Sequence, residues 1–209
     1  MQFGNVVRLF LCGLLLVLAG CASSPQKPNA DAATLAQAAY RDPGAPSMML
    51  ITMVNNRTGK GGHTSLMVNA SQRVIFDPAG SFKADVVPEY NDVLYGITPA
   101  VFKAYRGSHA RETFHVVTQE VALTPAQAER AFQLVTSNGR VPGAYCANAT
   151  SGIMAQIPGF ESIDRTFFPV RLQEQFGTLP GVITQRYYEN DSEDLQVGIA
   201  ANNAQLNAQ

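Results

Sequence analysis

Apolar residues in this chain fall into blocks separated by clusters of Gly, Pro and Asn, and each block has its own spacing. Leu9–Leu18 is almost wholly apolar, yet at about ten residues it is too short for a helix crossing a hydrocarbon layer of ~30 Å. Met48–Val54 is a second apolar run, set between Pro46 and Asn55, and its length predicts a buried strand. His63–Val68 and Arg73–Phe76 predict two more strands joined by a turn at Asn69-Ala70-Ser71, with Pro78-Ala79-Gly80 ending the second. Thr113–Leu123 alternates through Phe114, Val116, Val121 and Leu123 and predicts another strand. Residues 81–112 show no clear period apart from a short helix at Pro99–Tyr105.

The helical signals are chemical as well as periodic. Thr124-Pro125-Ala126-Gln127 has the form of a capping box with proline at the first helical position. Ala128, Ala131, Phe132 and Val135 then share one face, and Asn138-Gly139 stops the helix. After the Pro142-Gly143 turn, Cys146–Ile157 predicts a helix ended by Pro158-Gly159, and Val170–Phe176 predicts a shorter one. A brief helix also fits Asp31–Tyr40. Residues 189–209, acidic at first and then rich in Asn, Ala and Gln, are expected to form a loose polar tail.

The N-terminus changes the picture most. Arg8 and the amino terminus precede the apolar block, and Leu18-Ala19-Gly20-Cys21 follows it at once. This is the order of a bacterial lipoprotein signal peptide, residues 1–20, with Cys21 as the lipidated (palmitate-type acylated) residue. Ala22 and Ser23 follow Cys21 with no acidic residue there, which resembles outer-membrane sorting in Gram-negative lipoproteins, facing the periplasm. Residues 21–46 then read as lipidated cysteine and flexible tether, 47–188 as one folded domain and 189–209 as the tail. The membrane is thus a partner through lipid. The formal charge of −1, made one unit more acidic by loss of Arg8, offers no field for nucleic acid.

Of three cysteines, Cys12 leaves with the signal and Cys21 carries lipid, so Cys146 is the only thiol of the mature chain. In an oxidising compartment such a thiol is either buried and inert or kept for reactivity. Its place at a helix start, where free backbone N–H groups favour a thiolate and can form an oxyanion hole, tips the balance to function. His63 follows Gly59-Lys60-Gly61-Gly62 and is either a surface residue or a base facing a cleft. His109 is expected to be solvated in a polar loop, and His115 to be structural. Asp77 is a turn starter before Pro78 or a partner for histidine, with equal weight.

Gly62-His63-Thr64-Ser65-Leu66-Met67-Val68, a turn, and Arg73-Val74-Ile75-Phe76-Asp77 together resemble the histidine hairpin of the NlpC/P60 papain-like superfamily. Histidine precedes cysteine here, the order of the circularly permuted branch that includes lecithin:retinol acyltransferase-like proteins. The capped helix and Tyr145-Cys146 opening another helix fit that branch, and the resemblance covers roughly residues 47–160. It implies an α+β papain-like fold, a small antiparallel sheet packed against helices. It also implies Cys146 as nucleophile, His63 as base and then acid, and Asp77 as the orienting residue where many relatives have histidine. The expected activity is a cysteine hydrolase or acyltransferase acting on an amide or ester, of a peptidoglycan peptide or a lipid acyl group, with no cofactor or metal. The rivals are a non-catalytic lipoprotein binding peptide or lipid on the same fold, and a scaffolding lipoprotein with an inert thiol.

Overall fold

The computed structural model describes residues 28–208; the expected signal peptide, Cys21 and the first residues of the expected tether lie outside the described residues. The fold is α+β. Seven strands form one antiparallel sheet: β1 (Ser47–Asn55), β2 (Gly61–Asn69), β3 (Arg73–Phe76), β4 (Glu89–Tyr90), β5 (Val93–Leu94), β6 (Phe114–Ala122) and β7 (Ile183–Tyr187), in the order β4-β5-β3-β2-β1-β6-β7. Among the described residues six helices accompany it: α1 (Ala32–Gln37), α2 (Pro99–His109), α3 (Pro125–Ser137), α4 (Cys146–Met154), α5 (Pro169–Gly177) and α6 (Leu195–Asn207).

Helices cover both faces of the sheet, which explains why β1 reads as a nearly continuous apolar run, interrupted by buried Thr52, rather than an alternation. On one face Met48, Leu50, Leu66, Val68 and Phe76 pack with residues of α3, α4 and α5, among them Ala131, Ile153, Leu172 and Phe176. On the other, Ile51, Met53, Met67, Ile75 and Val116 pack with Val101, Ala104 and Tyr105 of α2 and with Leu206 of α6. The expected capping box at Thr124 and Gln127 is present, both hydrogen bonds formed.

Three expectations are corrected. The tail is not loose throughout: α6 lies against α2, where Asn202 Nδ2 donates to the Ala104 carbonyl and Leu206 enters the core. The C-terminal part of the tether packs on the domain, because Arg73 binds Asp42 at 2.5 Å and stacks over Tyr40. And α2 runs on to His109, which is buried at its C-terminal end rather than solvated in a loop.

Candidate active site

The site forms where β3 stops. Phe76 is its last residue, paired with Leu66, so the outer edge of β2 near His63 and Thr64 has no partner strand. His63, Ser65 and Met67 alternate onto the face covered by α2. Asp77, one residue beyond β3, lies on that same face. Its backbone carbonyl accepts from Gly80 N–H at 2.9 Å, closing the turn. A Cβ on Gly80 would come within 1.8 Å of Asp77 Oδ2, so only glycine leaves room for the carboxylate.

The nucleophile candidate arrives from the opposite layer. The chain bends at Ala144, whose φ of 67° is unusual for a residue other than glycine, and Cys146 opens α4 two residues later. Asp92 braces this approach: its Oδ2 accepts from Val141 N–H at 2.7 Å and from Ala79 N–H at 3.3 Å, tying the segment before Cys146 to the turn that holds Asp77. Tyr145, at the N-cap position of α4, makes no side-chain capping bond, which leaves the helix end uncapped toward the site.

His63, Asp77 and Cys146 are brought together. His63 Nε2–H donates to Asp77 Oδ1 at 2.8 Å, leaving Nδ1 as the ring nitrogen available to the thiol. Burial opposes charge on His63, yet its hydrogen bonds with Asp77 and Cys146 prevail and push its pKa up to about 10. Burial likewise raises the Cys146 thiol, but His63 first, and then the backbone N–H groups of Thr64 and Ala147, pull it below the ordinary thiol value. Asp77, although buried, is held below the usual carboxylate range by His63 and, to a lesser degree, by Tyr105. The arrangement favours thiolate with imidazolium. Thr64 N–H, on the vacated edge of β2, and Ala147 N–H in the first turn of α4 converge on the sulfur, where they can also meet a developing oxyanion.

Cys146 is only 8 % exposed and His63's side chain 17 %. Around them the surface is aromatic: Tyr145 packs edge-on against Phe167 at 5.2 Å, and Phe168 is 69 % exposed. Pro169 lies against Gly61, so this aromatic segment borders the start of β2 as well as α4. On the α2 side of the imidazole a cavity of about 240 Å³ is lined by Met53, Gly62, Ser81, His109, Arg111 and Phe114.

The sequence did not single out Tyr105 or His109 for the site. Tyr105 Oη lies 2.6 Å from Asp77 Oδ1 and 2.8 Å from Ser65 Oγ. The His109 ring is 4.5 Å from the Tyr105 ring and 6.2 Å from that of His63, and its Nδ1–H donates to the Tyr105 carbonyl. Burial keeps His109 neutral, with its pKa lowered to about 4. The only available signal was the position of both residues after Thr98-Pro99, which caps α2. His115 stands apart on β6, bonded to Asn56 and stacked on Tyr188. Among the described residues no group of three or more His, Cys, Asp and Glu is arranged to hold a metal ion, and no helix is long and apolar enough to cross a membrane. Comparison with family models, with curated proteins and with solved structures finds no match to this chain.

Proposed function

We propose that this chain is a lipid-anchored envelope cysteine hydrolase or acyltransferase of the papain-like, circularly permuted NlpC/P60 type, acting on an amide or ester of a peptidoglycan peptide or a lipid acyl group. The observation that carries this reading is the meeting of the sole thiol outside the expected signal and lipobox with an imidazole that a buried carboxylate orients. The Cys146 thiolate attacks the carbonyl carbon, forming the C–S bond and an oxyanion facing Thr64 and Ala147 N–H. As the tetrahedral species collapses, His63 Nδ1–H passes its proton to the leaving nitrogen or oxygen, and that bond breaks to give a thioester. Water, or another acceptor in the transferase case, then loses a proton to Nδ1 as it attacks, and the thiolate is released. Asp77 holds the ring orientation throughout. Cys21 and its lipid would keep the site at the outer membrane, facing the periplasm.

The test is acyl trapping. The chain incubated with a p-nitrophenyl ester should release one equivalent of phenolate in a burst and gain one acyl group on Cys146, as read by peptide mass. No adduct, or a Cys146 that alkylates only in denaturant, overturns the proposal. The low exposure of Cys146 favours a second reading, a non-catalytic lipoprotein that binds peptide or lipid on this fold, and the same result would select it.

A further inference from the structure

Asp77 Oδ1 has two partners, not one. His63 Nε2–H reaches it at 2.8 Å and the Tyr105 hydroxyl at 2.6 Å. A phenol has a single proton, and a carboxylate only accepts, so that proton lies toward Asp77. The 2.8 Å contact with Ser65 Oγ is then satisfied by the Ser65 hydroxyl donating to Tyr105. Ser65 stands two residues from His63 on the same strand, so the chain of bonds leaves β2 at Ser65 and returns to it at His63. All of Tyr105 and nearly all of Asp77 is withdrawn from water, so no solvent molecule can replace the phenol without rearrangement.

Tyr105 is itself fixed on three sides. Phe82 packs against its ring at 5.1 Å and 61°, His109 at 4.5 Å, and α2 supplies the backbone. We infer that Tyr105 is a positioning residue of the site, whose hydroxyl aims Asp77 Oδ1 at His63 Nε2 and keeps the carboxylate ionised in a buried setting. Its hydroxyl bonds Asp77 and Ser65, not Cys146 or His63, and its route to the thiol runs through Asp77. This rests on the cysteine–histidine reading above and adds a fourth member to it.

The experiment follows the pH dependence of Cys146 alkylation by iodoacetamide in the mature-length chain, which needs no knowledge of the substrate. Deprived of its phenol donor, Asp77 takes up a proton at higher pH, His63 loses its counter-ion, and the thiolate loses its partner. Tyr105→Phe should therefore move the acid limb of the alkylation profile upward by roughly one pH unit, with near-ultraviolet dichroism still reporting a packed core. Val135→Ala removes packing from the core on the opposite face of the sheet, and should lower the melting temperature while leaving the limb in place. If Tyr105→Phe does not fold, 3-fluorotyrosine incorporated at position 105 keeps the shape and strengthens the donor, and should move the limb downward by a few tenths of a unit. A Tyr105→Phe profile superimposable on the parent, an equal shift in Val135→Ala, or a fluorotyrosine profile that does not move overturns this inference alone. A parent profile indifferent to His63→Ala overturns the cysteine–histidine reading beneath it.

Discussion

His63 separates two regions of the site that are built on different terms. Behind the ring, Asp77, Tyr105 and Ser65 are buried, and their hydroxyl and Oδ1 oxygens are partnered by short hydrogen bonds. In front of it, beside Cys146, the neighbours are exposed aromatics: Tyr145, Phe167 and Phe168. A buried polar network is costly to break, because each lost partner leaves a desolvated group unpaired. Exposed aromatic rings contribute little to the fold and can be remodelled freely. One side of the imidazole is therefore specialised for holding charge in place, and the other is open to contact an incoming molecule.

The strongest way to break that division is at the carboxylate. Asp77→Asn keeps the shape but removes the charge facing Nε2–H, and acyl transfer to Cys146 should slow by about 10³-fold or more. His63→Ala should be at least as severe, whereas His115→Ala should leave acylation within about two-fold. Stopped-flow release of p-nitrophenolate measures all three, and a mild Asp77→Asn effect would reduce Asp77 to a turn residue.

Acid should act on the buried side next. With its folded pKa at about 4 against 6.5 when free, His109 stays neutral in the fold but takes a proton in the unfolded chain. Its contribution is therefore full above pH 6.5 and is lost as pH falls toward 4, by about 3 kcal/mol over the whole window. His63 carries the opposite sign: raised to about 10, it favours the fold below pH 6.5 and ceases to do so as pH climbs to 10. The lowered Cys146 thiol acts in the reverse sense to His63, its contribution growing as pH rises, so the two oppose each other on the alkaline side. Urea midpoints should thus fall as pH drops from 6.5 toward 4, the window set by His109. In His109→Gln the acid fall should be shallower; an unchanged slope would assign it to other groups.

Gly80→Ala sharpens the comparison from within the turn. The new methyl must displace the Asp77 carboxylate, so acylation should drop roughly 10- to 100-fold, the cost of misplacing a group by about 1 Å. The smallest effect belongs to the open side. Phe168→Ala should change stability by no more than about 0.5 kcal/mol while raising KM for esters with bulky apolar acyl groups more than for acetate. Equal KM values for both esters in parent and variant would remove the aromatic segment from substrate contact.

Much of this plan was legible along the chain. The β2–β3 hairpin, the capped helix α3 and the helix opening at Cys146 rest on strong local rules: alternation bounded by turn residues, a capping box, and Pro-Gly punctuation. His63, Asp77 and Cys146 were visible because chemically distinctive residues sit at element boundaries. The buried side was not. Tyr105 and His109 look like an ordinary helix end and a polar loop, and only the packing of α2 across the sheet brings them to Asp77. β4 and β5 are two residues each, too short to carry a period. β7 is a largely exposed edge strand of mostly polar residues, paired only to β6. In α6, polar and small residues dominate, so its helix is recognisable from its contact with α2 rather than from an amphipathic face.

The Asp92 brace has a consequence for how the molecule comes to exist. By accepting from both Ala79 and Val141, it joins the hairpin of β4 and β5 to segments 13 and 49 residues away in sequence, and the second of these carries the chain into Cys146. Contacts of such separation form late, after loop closure has been offset by the sheet. On the export route proposed above, a newly translocated chain would pass through an interval in which Cys146 is uncovered in an oxidising compartment. Asp92→Ala should lengthen that interval, and the fraction of chains recovered as disulfide-linked dimers on refolding in air measures it.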